Sequence, residues 1–429
     1  MIITAIILIC LILYVIGLTL TPIQLFPEFF FYPWLVSKGL VQYKDFFDHH
    51  GFLTNILLSF LAHPSTVQNI SFIFICMQII QCALILKMLV MKIKHPIYNG
   101  ILFILYLLFQ YSIVQQQLWF DTWITFFIVI AWYFFEEDKE ILGWIFIASA
   151  VMVKPTALLF FVPFYLKSKK KKSIIISFFV WAIPFFYFWG RGALGALWRQ
   201  LFVFNYSYIQ STYTTLFIGI PIKLLLFISA GFVFLLLYLL KAKKKNIPLI
   251  LMIAISFSFF LQGFSRLNFA VFVPFCVLGI SELVNKKKIN KIVAGTIIFF
   301  ILIMGRETYR TFLDVSKRQV YLSQSVVNET KQIASSISRN KGKNILVVGN
   351  RVELYYLLDV LPPEFTPLHF PWVEKMYKKN IDFKNIEYII VPKKFGEYES
   401  LDDIIWKRLS KFSQIGQTAS YTIWRYNKK

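Results

Sequence analysis

Charge is scarce in this 429-residue chain, and acid is scarcer still: 22 aspartates and glutamates stand against 45 lysines and arginines, and charged residues are only 16% of the total. A soluble chain of this length would hold two or three domains, but one that is 58% hydrophobic and 19% aromatic is no ordinary soluble protein. Cysteine is nearly absent. Cys10, Cys76, Cys82 and Cys276 all lie inside apolar runs without metal-ligand spacing, which leaves them core packing. No glycine-rich phosphate loop occurs: "VVGNRVELYYLL" has a strand-turn-helix outline but one glycine, which argues against a nucleotide site. Internal repeats and low-complexity tracts are missing apart from lysine runs. The opening "MIITAIILICLILYVIGLTL" lacks a basic leader and a small-residue cleavage site, so it reads as a retained first span.

What the chain has instead is long apolar blocks, such as "SFIFICMQIIQCALILKMLV" and "LLLFISAGFVFLLLYLL". They approach the roughly 20 residues that cross a bilayer core. Blocks fall near Ile2 to Leu20, Asn69 to Met91, Ile97 to Val114, Phe120 to Phe135, Ile141 to Val153 and Thr156 to Leu166. Others fall near Ser173 to Trp189, Pro221 to Leu240, Ile247 to Phe264, Asn268 to Val284 and Ile292 to Gly305. The expected fold class is an α-helical multi-pass membrane protein with about eleven transmembrane helices, several of them short.

A net charge of +23 would suit nucleic acid, but its distribution says otherwise. Sixteen lysines sit in four short loops: Lys87, Lys92 and Lys94; Lys167 and Lys169 to Lys172; Lys241 and Lys243 to Lys245; Lys286 to Lys288 and Lys291. Lysine in short loops between apolar spans marks the cytoplasmic side, so the charge reads as topology and no nucleic-acid partner is expected. Keeping all four clusters on one side requires Ile141 to Leu166 to be two short helices hinged at "VKPT" rather than one long helix. Pro155 supplies the break, because proline lacks the N–H and disfavours helix in the residue before it. Irregular backbone at that depth is tolerable only where protein or water covers it, so the hinge with Lys154 should line a cavity.

With the N-terminus inside, the outer face receives the first outer loop (residues 21–68), "QQQLWFD", the Lys154 hinge, the loop that carries Arg191 and Arg199, "QGFSRLN" and the tail. Composition changes near Arg306. Short apolar runs in "KNILVVGN", "NIEYIIVPKKF" and "SYTIWRY" alternate with helix-like stretches such as "SLDDIIWKRLSKF", which reads as a small α/β extracytoplasmic domain. The expected organisation is therefore a transmembrane domain over 1–305 and an outer α/β domain over 306–429.

Ionisable groups beside membrane spans are expensive and usually face a cavity or substrate path. Glu28, Asp45 and Asp48 are the candidate catalytic acids, since a carboxylate there can take a proton from a hydroxyl. Lys154 and Arg266 are the complementary cations, able to hold a phosphate as a point charge and a fork. Asp121, His50 and Tyr43 complete the candidate substrate-binding set. The plainer readings are a solvated connector for the acids, a helix cap for Asp121 and interfacial snorkelling for the cations. His49 and His50 are adjacent, which points side chains apart in most regular structures and favours hydrogen bonding over metal binding.

A carboxylate base, phosphate-binding cations and a lipid-accessible cavity together describe transfer of a sugar from a lipid-linked phosphate to a hydroxyl. The arrangement resembles the GT-C superfamily of polytopic glycosyltransferases, especially bacterial relatives of the protein mannosyltransferases and aminoarabinose transferases. The resemblance rests on an acid about eleven positions before "GLVQYKDFFDHHGF", the lysine of "KPT", the late "RLNFAVFVP" and the C-terminal α/β domain. It implies that the acid early in the first outer loop, here Glu28 where the family usually has aspartate, is catalytic, and that the acid opening a later span is Asp121. It also implies a polyprenyl-phosphate-linked sugar donor, a glycan, lipid or protein acceptor, inversion at the anomeric carbon and a site in the cytoplasmic membrane of a bacterium. No cofactor is certain: some members need a divalent metal and others do not. Two rival readings are a transporter or flippase of a lipid-linked or anionic solute, and a non-catalytic envelope assembly protein. A transporter should place coupling groups near mid-membrane in related halves, whereas here the polar groups gather at one rim.

Overall fold

A computed structural model describes residues 2–66, 68–114, 117–207, 246–261, 266–284, 291–316, 322–337, 344–349, 351–363, 385–394 and 409–427. The chain divides into two compact units. One is built from Met1–Gln24, Ser71–Tyr187 and Ile209–Arg318, the other from Leu25–Ile70, Phe188–Tyr208 and Gln319–Lys429.

The first unit is helical. Among the described residues two helices, Gln68–Lys92 and Lys171–Gly190, are long and apolar enough to cross a membrane, and six shorter apolar helices accompany them. The count of about eleven is not confirmed, because proline and 3-10 turns cut the apolar blocks into shorter pieces and Pro221 to Leu240 lies outside the described residues. Large apolar side chains face outward, with Leu20 71% and Ile183 74% exposed, the pattern of helices whose solvent is lipid rather than water.

The hinge at "VKPT" is present. Helix Glu140–Val153 stops at Lys154, which is extended, and Pro155–Phe160 winds as a 3-10 helix before helix Phe161–Lys167. The second helix returns alongside the first: the Glu140 carboxylate accepts hydrogen bonds from the Ser168 hydroxyl and, at 2.6 Å, from the backbone N–H of Lys169. Glycine lets this hairpin pack closely on its neighbour, since a Cβ at Gly143 would stand 2.4 Å from the Phe135 ring.

At one end of this unit, described residues in or beside the lysine runs meet. Lys92, Glu136, Lys167, Asn246 and Glu282 line a cavity of about 480 Å³. Lys92 lies 2.8 Å from Glu282 and 3.4 Å from Glu136, and Lys167 lies 3.1 Å from the same Glu136 oxygen. Residues in or beside each of the four lysine runs thus share one end, as the distribution of charge expects.

The second unit carries a four-stranded mixed sheet. Strands β1 (Asn344–Val347) and β2 (Ile386–Pro392) pair in parallel, β2 pairs antiparallel with β4 (Tyr421–Tyr426), and β4 with β3 (Phe412–Gln417). Helix Val352–Leu358 follows β1, and the core under the sheet gathers Leu346, Val348, Ile386, Ile389, Val391 and Phe412. Three of these strands stand where apolar runs foretold them. The strand Phe412–Gln417 was not foreseen, because "FSQIGQ" is mostly exposed and polar; the helix-like "SLDDIIWK" lies outside the described residues.

The opening segment joins this unit through aromatic side chains. A 3-10 turn, Pro27–Phe29, leads into helix Phe31–Ser37, whose Phe31 and Trp34 rings stack at 5.7 Å. A further short helix, Leu53–Ser59, packs beside it.

Candidate active site

Glu28 occupies the middle of the Pro27–Phe29 turn, where Pro27 fixes the first position and the following Phe29, Phe30 and Phe31 are wholly buried. Its side chain is buried with them, and Oε2 has no hydrogen-bond partner among the described residues. Burial, with the negative charge of Asp48 adding to it, pushes the Glu28 carboxyl up to about 7. A carboxyl with that value near neutral pH can both take and give a proton.

Asp48 is the hub of a hydrogen-bond network and has no exposed surface. Its Oδ2 accepts from Gln42 Nε2 at 2.9 Å and Asn55 Nδ2 at 2.8 Å. Its Oδ1 accepts from the backbone N–H of His50 at 2.9 Å and lies 3.0 Å from His50 Nδ1. Burial pushes this carboxyl up to about 7 too, against the opposing pull of His49, the His50 N–H and the Asn55 amide.

Buried acids need such donors because an unpaired charge in a dry site is costly. The donors to Asp48 all lie between Gln42 and Asn55, and residues 200–205 brace the backbone of that loop. Gln200, on a π-helical turn over Arg199–Phe204, accepts from the Asp48 N–H at 2.9 Å and donates to the Tyr43 carbonyl at 2.6 Å. Asn205 donates to the His49 carbonyl at 2.9 Å.

Tyr43 is buried and donates its hydroxyl to the His50 carbonyl at 2.7 Å. Its φ of +70 is costly for a large side chain and is held by that bond and by Gln200. Asp45 is exposed and accepts from the Val41 N–H at 2.7 Å, closing the turn.

One expectation is corrected. His49 and His50 do not point apart: their ring centroids are 3.9 Å from each other. The loop is irregular here, and two bonds to Asp48 draw His50 back toward its neighbour, while Phe47 and Phe204 flank His49 at 5.9 and 5.4 Å. Ligand atoms of Asp48, His49 and His50 all lie within 4.8 Å of one another, a grouping that can hold a metal ion. Two imidazoles with one carboxylate suit a zinc-like ion better than magnesium or calcium. Both Asp48 oxygens already accept hydrogen bonds, so the acid is better placed to orient His50 than to bind an ion itself.

The remaining sequence candidates belong to the helical unit. Asp121, the second residue of helix Phe120–Glu136, is wholly buried, with Lys154 Nζ 3.4 Å from its Oδ1 and Oδ2 without a partner among the described residues. Lys154 also lies 5.7 Å over the Phe259 ring. Arg266 opens a 3-10 turn, Arg266–Val271, and its side chain lies outside the described residues. Sequence reasoning missed Gln42, Asn55, Gln200 and Asn205. The signal available was a buried amide among apolar neighbours, as in "RQLFVFN", which is costly unless bonded.

No family model matches the sequence, and no curated protein does. The fold is similar to the oligosaccharyltransferase of Archaeoglobus fulgidus, solved in complex with zinc and sulfate, with a TM-score of 0.53 and 11% sequence identity over 90% of this chain and 68% of that one. At that identity the likeness is one of fold.

Proposed function

We propose that the chain is a membrane glycosyltransferase that moves a sugar from a polyprenyl-phosphate donor to a hydroxyl of an envelope glycan, lipid or protein acceptor. The observation that carries the reading is Glu28: a buried carboxyl with an unpartnered oxygen, held near 7 beside the Asp48 network. The fold likeness to an oligosaccharyltransferase supports it.

In the proposed reaction Glu28 takes the acceptor's proton as the hydroxyl oxygen attacks the anomeric carbon from the face opposite the phosphate. The bond from that carbon to the phosphate oxygen breaks, its electron pair leaves with the phosphate, and the configuration inverts. A base whose pKa lies near the working pH combines a useful ionised fraction with a useful driving force. Lys154 and Arg266 are proposed to hold the phosphate, with Asp121 setting the position of Lys154 at 3.4 Å. His49 and His50 are the residues that would hold a divalent ion, which would supply positive charge for a developing anion. The proposed setting is the cytoplasmic membrane, with the lysine-rich end inside and the catalytic loop and residues 306–429 outside.

The test is to incubate the purified full chain with radiolabelled polyprenyl-phosphate sugars and a panel of hydroxyl acceptors. Covalent transfer that Glu28→Gln abolishes while donor binding survives supports the reading. Movement of the intact donor across liposomes without transfer would instead support a flippase.

A further inference from the structure

We propose that Tyr356, on the helix that follows the first strand of the C-terminal sheet, is a positioning residue for Glu28, acting through Phe30 and Trp34. The proposal rests on the reading of Glu28 as the base.

The contacts form a continuous chain. The Tyr356 ring packs 5.1 Å from Phe30, two residues after Glu28, and meets Trp34 edge-on at 5.9 Å. Its neighbour Tyr355 stacks on Phe31 at 6.4 Å and accepts from the Val347 N–H at 2.8 Å, which ties this grip to the sheet. One helical turn of the opening segment, Phe30 to Trp34, is therefore clamped along the face that continues the Glu28 turn. All of these rings are nearly or wholly buried.

The far end of the same helix closes the clamp. Asp359 is its left-handed terminal residue, at φ +55, a conformation that costs energy outside glycine. Its carboxylate lies 2.6 Å from Lys38 Nζ and accepts from Trp34 Nε1 at 3.3 Å. Lys38 is the residue that ends helix Phe31–Ser37. The Phe31–Ser37 helix is thus held near its start by Tyr356 and at its end by Asp359.

Clamping matters because Glu28 owes its raised pKa first to burial. The titratable groups coupled to it among the described residues are Tyr32, on the clamped helix, and Asp48, on the loop that follows. Loosening the turn admits water to Glu28; Tyr32 moves with its helix but carries no charge near neutral pH, since burial pushes its phenol well up, and Asp48 stays held by its own network. The carboxyl should then fall back toward its ordinary range.

The hydroxyl of Tyr356 has no hydrogen-bond partner among the described residues, so the ring rather than the oxygen carries the role. Tyr356→Phe is accordingly the conservative control.

The experiment is an infrared pH titration of the full chain in lipid nanodiscs, with the Glu28 band isolated by subtracting the Glu28→Gln spectrum. The band should titrate near 7 in the unaltered chain and in Tyr356→Phe, and about one pH unit lower in Tyr356→Ala. Circular dichroism and gel filtration check the fold. If Tyr356→Ala does not fold, Asp359→Ala takes its place, with a downward shift of about half a unit expected. An unmoved Glu28 band in a folded Tyr356→Ala, or in Asp359→Ala where that variant stands in, overturns the proposal. A band that moves as expected while Glu28→Gln still transfers sugar leaves the clamp standing and removes the base assignment instead.

Discussion

Three of the buried acids among the described residues, Glu28, Asp48 and Asp121, are treated in two ways. In the helical unit Asp121 has a lysine 3.4 Å away, whereas in the second unit Asp48 is held by amides and an imidazole, and Glu28 keeps an oxygen with no partner among the described residues. A nearby cation gives a buried carboxylate a fixed partner and makes it a support. Neutral donors and burial leave the proton in play. The contrast explains why chemistry is assigned to Glu28 and support to Asp121, although both are buried acids beside apolar segments.

The largest effect should come from removing the proposed base. Glu28→Gln keeps the shape of the turn and should lower transfer by about a hundredfold to ten-thousandfold, with donor affinity unchanged in a filter-binding assay. Asp45→Asn, at an exposed turn, should stay within about twofold in the same assay, since surface changes seldom matter much.

Next in size is the hub. Asp48→Ala strands the Gln42 and Asn55 amides and the His50 N–H, and should cost about 3 kcal/mol in denaturant unfolding of the chain in mixed micelles. Asp48→Asn keeps part of the network and should cost less.

Breaking the cation-supported acid gives a smaller loss. Lys154→Met leaves Asp121 buried without its cation and should cost about 1–3 kcal/mol, because Lys154 is still partly exposed; adding Asp121→Asn should recover part of it. Recovery would show that the pair acts as a unit.

The pH dependence of stability sharpens the same contrast. Glu28 and Asp48 hold their protons to about 7 in the fold, against ordinary values of 4.5 and 3.8. The folded chain therefore binds more protons than the unfolded chain between those limits. This contribution to stability is fully present below the ordinary values and is lost as pH rises through about 7. Unfolding midpoints should fall across that window in the unaltered chain and fall less in Glu28→Gln.

Much of this was legible in the residues. Lysine runs between apolar blocks foretold the shared end at which Lys92, Lys167 and Glu282 meet, and Pro155 foretold the hairpin at Lys154. Glu28, Asp48, Asp121 and Lys154 were visible as charges in an apolar chain. The amides that organise the loop were not, because Gln42 and Gln200 are far apart in sequence and nothing local announces that they meet across Asp48 and Tyr43. The histidine pair was misjudged for a related reason: the expectation assumed regular backbone, and the loop is irregular. The positive φ at Tyr43 likewise has no local signature, since it is imposed by the partners of its hydroxyl and carbonyl.

The most direct test of the central claim is the pH profile of kcat/KM for sugar transfer from a synthetic polyprenyl-phosphate donor by the unaltered chain and by Glu28→Gln. The account expects activity to rise with pH through about 7 as the Glu28 carboxyl ionises, and that rise to disappear in Glu28→Gln along with most of the turnover. A Glu28→Gln chain that keeps both its turnover and the rise near 7 would contradict it.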